Sequence, residues 1–210
     1  MEASINIFGA FPTPLGLVSL GRGLTEAERS FLLNLPLGPH RGAGATGSSL
    51  NSRVLDDPIL GNLREFITAS LRHYFDETFK PATNVSLKIT QSWTNYAQPG
   101  QFHSKHNHPN SLVSGVFYVS AQKEEDSIFF FKDAYERLAI PAREINAFTS
   151  SISRVPVGTG DLVLFPSALP HGVEPTTSKK TRVSLSFNTF PEGVLGDERI
   201  LAGLTIGTVR

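Results

Sequence analysis

Cysteine is absent from the 210 residues, and methionine occurs once, as Met1. Without a thiol there is no disulfide, no zinc–thiolate site, no iron–sulfur cluster and no Cys nucleophile. Any metal must therefore be held by His, Asp or Glu. An excess of charge of either sign is also missing: 19 Lys and Arg balance 19 Asp and Glu. That balance lacks the electrostatic footprint of a general nucleic-acid binder and gives no reason to expect an anionic membrane as partner. No apolar run approaches the ~20 residues of a membrane span, and Met1 to Ile7 does not read as a signal peptide. The expectation is a soluble, cytoplasmic chain. A hydrophobic share of 40% with 18% charged residues is ordinary for a globular protein. The length suits one domain over 1–210, with a helical part at about 1–80, a β core at about 85–190 and a C-terminal extension at 191–210.

Two helices are expected first. Thr25 and Glu28 form a capping box ahead of Phe31, Leu32, Leu33 and Leu35, which predicts a helix from about Glu26 to Leu35. Asp57-Pro58 is an N-cap acceptor followed by proline at the first helical position. Behind it Leu60, Leu63, Ile67, Leu71 and Tyr74 recur at three- and four-residue spacing, one apolar stripe of a helix from Pro58 to about Thr78. Between the helices, Leu37 to Asn51 is rich in Gly and Ser and reads as an irregular loop, a candidate lid. After Pro81 the period becomes two. Val85, Leu87, Ile89 and Trp93 alternate with polar residues, and strand-like runs follow at Leu112–Ser120, Ser127–Phe131, Ile152–Val155, Asp161–Phe165 and Arg182–Phe190. Short strands with Gly and Pro between them predict a sandwich or barrel. Asp133 to Leu138 fits a short helix, and Arg199 to Val209 an edge strand. The fold class is α+β, mainly β, with the two helices packed on one sheet.

Of the six histidines, three lie within the run His103-Ser104-Lys105-His106-Asn107-His108. Residues two apart on a strand share a face, so His106 and His108 can aim at one point. His171, after the turn Pro166 to Pro170, is the natural third ligand. Three ligands on one face of an octahedral ion leave three positions open, as an oxygen-activating iron site requires. The usual set is two His and one carboxylate, whereas here the position two after His106 is His108, so an all-histidine set is expected. Neutral imidazoles leave the ion more positive than a carboxylate would. Shifted sets using His103 or Asp133 stay open. His103 and Trp93 are weaker candidates for substrate contact or support of the ligands. His40 and His73 are read as structural or exposed.

At these residues the sequence resembles the iron(II)/2-oxoglutarate-dependent oxygenases related to prolyl 4-hydroxylases. The resemblance is carried by Trp93-Thr94-Asn95, Gly100, His106-Asn107-His108-Pro109, Ser114-Gly115-Val116-Phe117-Tyr118, Gly160-Asp161, Phe165-Pro166, His171, Arg182-Val183-Ser184 and Phe187-Asn188. It implies a double-stranded β-helix, a jelly-roll barrel of the cupin kind. It also implies Fe(II), 2-oxoglutarate and O2 as cofactor and co-substrates. The reaction implied is hydroxylation of a small molecule or a peptidyl proline, with release of succinate and CO2. Arg182 then becomes the anchor of the far carboxylate of 2-oxoglutarate, since a guanidinium offers a carboxylate a two-pronged fork. Ser184 lies on the same strand face, Tyr118 is a further hydrogen-bond donor, and Asn95 and Asn188 are lesser candidates for the same molecule. The missing carboxylate at His108 is the departure from the family's better-known pattern.

Two other readings fit part of the pattern. A cupin-type dioxygenase or isomerase without 2-oxoglutarate would use the same three histidines, with Gly100 opening its first motif, but the glutamate that motif expects shortly after His108 is absent. A non-enzymatic barrel that binds a ligand or partner would use the histidines for stacking and hydrogen bonding.

Overall fold

A computed structural model describes residues 5–39, 47–82, 84–132, 141–175 and 177–207. In chain order the elements are β1 (Gly16–Ser19), α1 (Glu26–Leu33), β2 (Leu37–Pro39), β3 (Gly47–Ser49), α2 (Gly61–Phe79), β4 (Val85–Ala97), β5 (His103–His106), β6 (Val113–Ser120), β7 (Ser127–Phe131), β8 (Ile152–Pro156), β9 (Asp161–Pro166), β10 (His171–Val173), β11 (Arg182–Leu195) and β12 (Leu204–Ile206). Both N-terminal helices form where the caps predict. The Thr25–Glu28 box is made in both directions. Asp57 caps the 3-10 turn Pro58–Leu60 that leads into α2. α2 buries Leu63, Ile67, Leu71 and Tyr74, and Lys80 ends it in the left-handed conformation at φ 44°.

The strands form an eight-stranded sheet in the order β1-β9-β6-β11-β4-β3-β2, with β12 added to β11, and a four-stranded sheet in the order β5-β10-β7-β8. This is mainly-β architecture with two helices, as expected, but neither sheet closes on itself, so "barrel" describes the stacking and not a closed ring of strands. Three further sequence expectations need correction. Residues 37–51 are not wholly irregular: β2 and β3 pair with each other and β3 pairs with β4, which satisfies their backbone groups at the sheet edge. Residues 40–46 of the proposed lid, His40 among them, lie outside the described residues, as do Asp133 and the short helix expected there. β4 continues beyond Trp93 to Ala97 because Arg182 to Phe187 pair with its second half. β11 runs past Phe190 to Leu195, where β12 joins it.

Alternation on three central strands divides the interior in two. Val183, Leu185 and Phe187 of β11, Val113, Phe117 and Val119 of β6, and Leu162 and Leu164 of β9 pack with Leu63, Ile67 and Leu71 of α2 in one core. The opposite faces supply Tyr118, Val163 and Phe165, which meet Ile128, Phe130 and Val155 of the smaller sheet in a second core. The helices thus seal one face of the large sheet, and the other face is left to line the space between the sheets.

Gly115 of β6 sits directly opposite Phe187 of β11 in the large sheet. A Cβ there would lie 2.2 Å from the Phe187 ring and 2.9 Å from Leu164 Cδ2, and Phe187 is fully buried, so its ring has nowhere to retreat. Gly115→Ala is expected to destabilise the protein by about 1–3 kcal/mol through overpacking, read as a lowered midpoint with unchanged slope in urea denaturation.

Candidate metal and co-substrate site

The space between the sheets is lined by Trp93, Asn95, His103, His106, His108, Val116, Tyr118, Ile128, His171, Arg182, Ser184 and Ser186, among others. His106 ends β5 and His171 begins β10, and the two are cross-strand partners. Their ring centroids are 4.3 Å apart. His108 does not share a strand with His106, because β5 stops at His106. It is held by a loop whose amide at His108 donates to the Ser167 carbonyl at 3.0 Å. A loop, rather than a shared strand face, therefore turns His108 inward, its ring 5.1 Å from His106 and 5.0 Å from His171. One nitrogen from each of the three rings lies within 4.8 Å of the others.

Two of the three rings have their tautomer set by the same local device. His106 Nδ1–H donates to the Ser104 carbonyl at 2.7 Å and His171 Nδ1–H to the Leu169 carbonyl at 3.0 Å. A carbonyl oxygen can only accept, so Nδ1 carries the hydrogen and the Nε2 lone pair is free for a metal. Burial lowers the pKa of His108 from 6.5 to about 4, with the neighbouring His106 adding to it. Burial lowers His171 to about 3, against the opposing effect of the Leu169 carbonyl. Phe165, 4.6 Å from the His171 ring, is part of that apolar wall. Neutral imidazoles with a free lone pair suit a borderline divalent cation such as iron(II).

Sequence reasoning passed over three residues here. Gly172 lets β10 approach β5: a Cβ would stand 2.9 Å from the His103 carbonyl. Ser167, fully buried, joins the hydroxyls of Ser111 and Ser114 at 2.7 and 2.8 Å, tying the His108 loop to the turn before His171. Asp126 is buried with Arg182 but stands in the charged run Glu124-Glu125-Asp126, which reads as an exposed turn.

Of the other expected residues, His103 stacks on His106 at 4.4 Å with the rings 14° from parallel. Trp93 meets His108 edge-on at 5.9 Å. Arg182, Ser184 and Tyr118 are buried and line the cavity. Burial raises the pKa of Tyr118 well above the ordinary phenol value, so its hydroxyl keeps its proton. Asn95 also lines the cavity, but its amide is engaged. It accepts from Ser48 Oγ at 2.9 Å and donates to Ser186 Oγ at 3.2 Å. Asn188 lies farther along β11 and accepts from Ser114 Oγ at 2.8 Å. His73 is exposed on α2.

The depressed histidine pKa values fix a sign for acid stability. Between about pH 6.5 and the folded-state values near 4 and 3, the unfolded chain binds protons at His108 and His171 that the folded chain refuses. Metal-free protein is therefore expected to lose stability as pH falls through that window. Thermal melts in chelator check this, and His171→Leu should flatten the profile.

Residues 91–188 match the model of the family described as "Putative 2OG-Fe(II) oxygenase", and this span contains all three converging histidines and Arg182. No curated protein is matched by the sequence. Among solved structures, the chain is similar to HygX from Streptomyces hygroscopicus with nickel, 2-oxoglutarate and hygromycin B bound, at 16% identity and a TM-score of 0.57, covering 85% of this chain and 83% of that one. It is similar to a 2OG-Fe(II) oxygenase family oxidoreductase from Burkholderia pseudomallei, at 14% identity and a TM-score of 0.56, covering 83% and 84%. It is also similar to a prolyl-4-hydroxylase from Pseudomonas putida, at 15% identity and a TM-score of 0.54, covering 84% and 92%. At these identities the likenesses show the double-stranded β-helix fold, and residues 91–188 carry the sequence pattern of the 2OG-Fe(II) oxygenases, oxidoreductases that use iron(II), 2-oxoglutarate and O2.

Proposed function

We propose that this oxygenase hydroxylates a C–H bond of a small molecule or a peptidyl proline, holding iron(II) through His106, His108 and His171 and the far carboxylate of 2-oxoglutarate through Arg182. The observation that carries the reading is the meeting of three imidazoles and one buried guanidinium on the walls of a single cavity. Bound iron supplies activation of O2 and a coordination site for the 2-oxo acid. One oxygen atom enters the substrate as hydroxyl and the other enters succinate, with loss of CO2.

The chain's own residues do the rest. The Ser104 and Leu169 carbonyls hold His106 and His171 as Nδ1–H tautomers, so both rings can donate the same nitrogen to the ion. Arg182 presents N–H groups to the cavity, and Ser184 and the protonated Tyr118 hydroxyl stand on neighbouring strands in register: Ser184 is opposite Tyr118 on one side and Asn95 on the other. Val116 and Ile128 keep the wall apolar, which strengthens the ionic contacts made inside. The choice between small molecule and peptide is supported in two directions, by the aminoglycoside-bound likeness and by the prolyl hydroxylase likeness. Trp93 and His103, next to His108 and His106 on the cavity wall, are placed to touch that substrate.

Succinate formation from 2-oxoglutarate, followed with and without iron(II), tests the activity. Succinate release independent of iron would end the reading. Arg182→Ala is expected to raise the KM for 2-oxoglutarate roughly 10- to 100-fold, because it removes the carboxylate contact and also leaves the buried Asp126 carboxylate facing the co-substrate alone. His171→Ala is expected to leave purified protein with little bound iron by metal analysis.

A further inference from the structure

The cavity's guanidinium has a built-in counter-ion. Asp126 immediately precedes β7; its residue is 2% exposed and Arg182 6%. Asp126 Oδ1 stands 3.6 Å from Arg182 Nη1. The other carboxylate oxygen, Oδ2, accepts from the Gln122 amide at 2.8 Å, which fixes the carboxylate at the strand entrance. A separation of 3.6 Å is longer than a charge-assisted hydrogen bond of about 2.8 Å. The pair thus attracts without consuming the donors of Arg182, which makes no hydrogen bond to another side chain among the described residues. Neither charge could be buried cheaply without the other.

The pair also changes the charge the cavity shows to a ligand. A divalent ion in three neutral imidazoles keeps its double charge, and Arg182 with Asp126 adds nothing. A doubly ionised 2-oxo diacid would then bring the whole to neutrality. A ligand set of two His and one carboxylate, facing an unpaired arginine, arrives at the same total by another route. The negative charge missing at His108 thus reappears beside the arginine. Its effect there differs, because it opposes the far carboxylate of the co-substrate rather than the charge on the ion.

We propose that Asp126 is a specificity-determining positioning residue that acts through Arg182, weakening the cavity's preference for a 2-oxo dicarboxylate over a 2-oxo monocarboxylate. The inference rests on the co-substrate reading above. The far carboxylate must share Arg182 with Asp126, so its gain is the difference between two pairings. The 2-oxo acid end, which the ion would chelate, is untouched by that competition.

The test is calorimetric titration, without oxygen, of manganese(II)-loaded protein with 2-oxoglutarate and with 2-oxovalerate, which keeps the chain length and lacks the far carboxylate. Wild-type protein is expected to prefer 2-oxoglutarate by less than about tenfold. Asp126→Asn is expected to tighten 2-oxoglutarate about tenfold and to leave 2-oxovalerate within about twofold, since only the former meets the released guanidinium. Asp126→Ser should act in the same direction. A change shared equally by both acids, or weaker 2-oxoglutarate binding in a folded variant, would overturn the proposal. So would a wild-type preference above about a hundredfold, a result that needs no variant to fold. If manganese binds and neither acid does, the co-substrate reading falls and this inference with it, an outcome distinct from the others.

Discussion

His171 reaches His106 only because β10 lies against β5 in the smaller sheet, and most features of the site depend on that pairing. The two residues are far apart in sequence, and their meeting needs a long loop closure that local propensity does not repay. What holds the pairing is local steric permission at Gly172 and the second neighbour of β10, where His171 is opposite Phe130 of β7. Once formed, the pairing puts two imidazoles in an apolar pocket. The burial that keeps His171 neutral also withholds water from any ion the pair would hold.

The large sheet makes that pocket possible by giving each face a different task. On β11, Val183, Leu185 and Phe187 pack beneath the helices, while Arg182, Ser184 and Ser186 line the cavity. A period-two strand separates the two chemistries with no boundary other than the sheet itself. The helices are thus a cover, and by burying the apolar face they let the opposite face carry polar groups without surrendering the core. Ser167 shows how the ligand loops are joined to this frame, since its backbone carbonyl accepts from His108 and its hydroxyl meets Ser111 and Ser114.

Electrostatically, the site trades one carboxylate position for another. An all-histidine set leaves the charge of a bound cation undiminished, and Asp126 offsets the charge of Arg182 instead. The balance of the whole cavity is preserved while the balance at each end is altered. Charge neutrality in a buried site is a property of the whole cavity, because in a poorly screened interior each group acts on all the others.

Much of this was legible in the residues. The caps at Thr25 and Asp57 and the stripe from Leu60 to Tyr74 determined both helices, since capping and periodicity are local. The alternation in Val85 to Trp93 and Arg182 to Phe190 determined strands and their faces, and the absence of cysteine left histidine as the principal candidate metal donor. Spacing also marked His106 and His108 with His171 as their third partner, and the family resemblance marked Arg182. Tertiary structure alone decided that His108 is brought in by a loop rather than a strand, that β2 and β3 extend the sheet, and that Asn188 is taken by Ser114. It alone decided that Asp126 is buried against Arg182. The reason is the same in each case: these outcomes depend on which distant segments become neighbours, and the free energy that selects neighbours comes from burial and long-range pairing, which no short window of sequence contains.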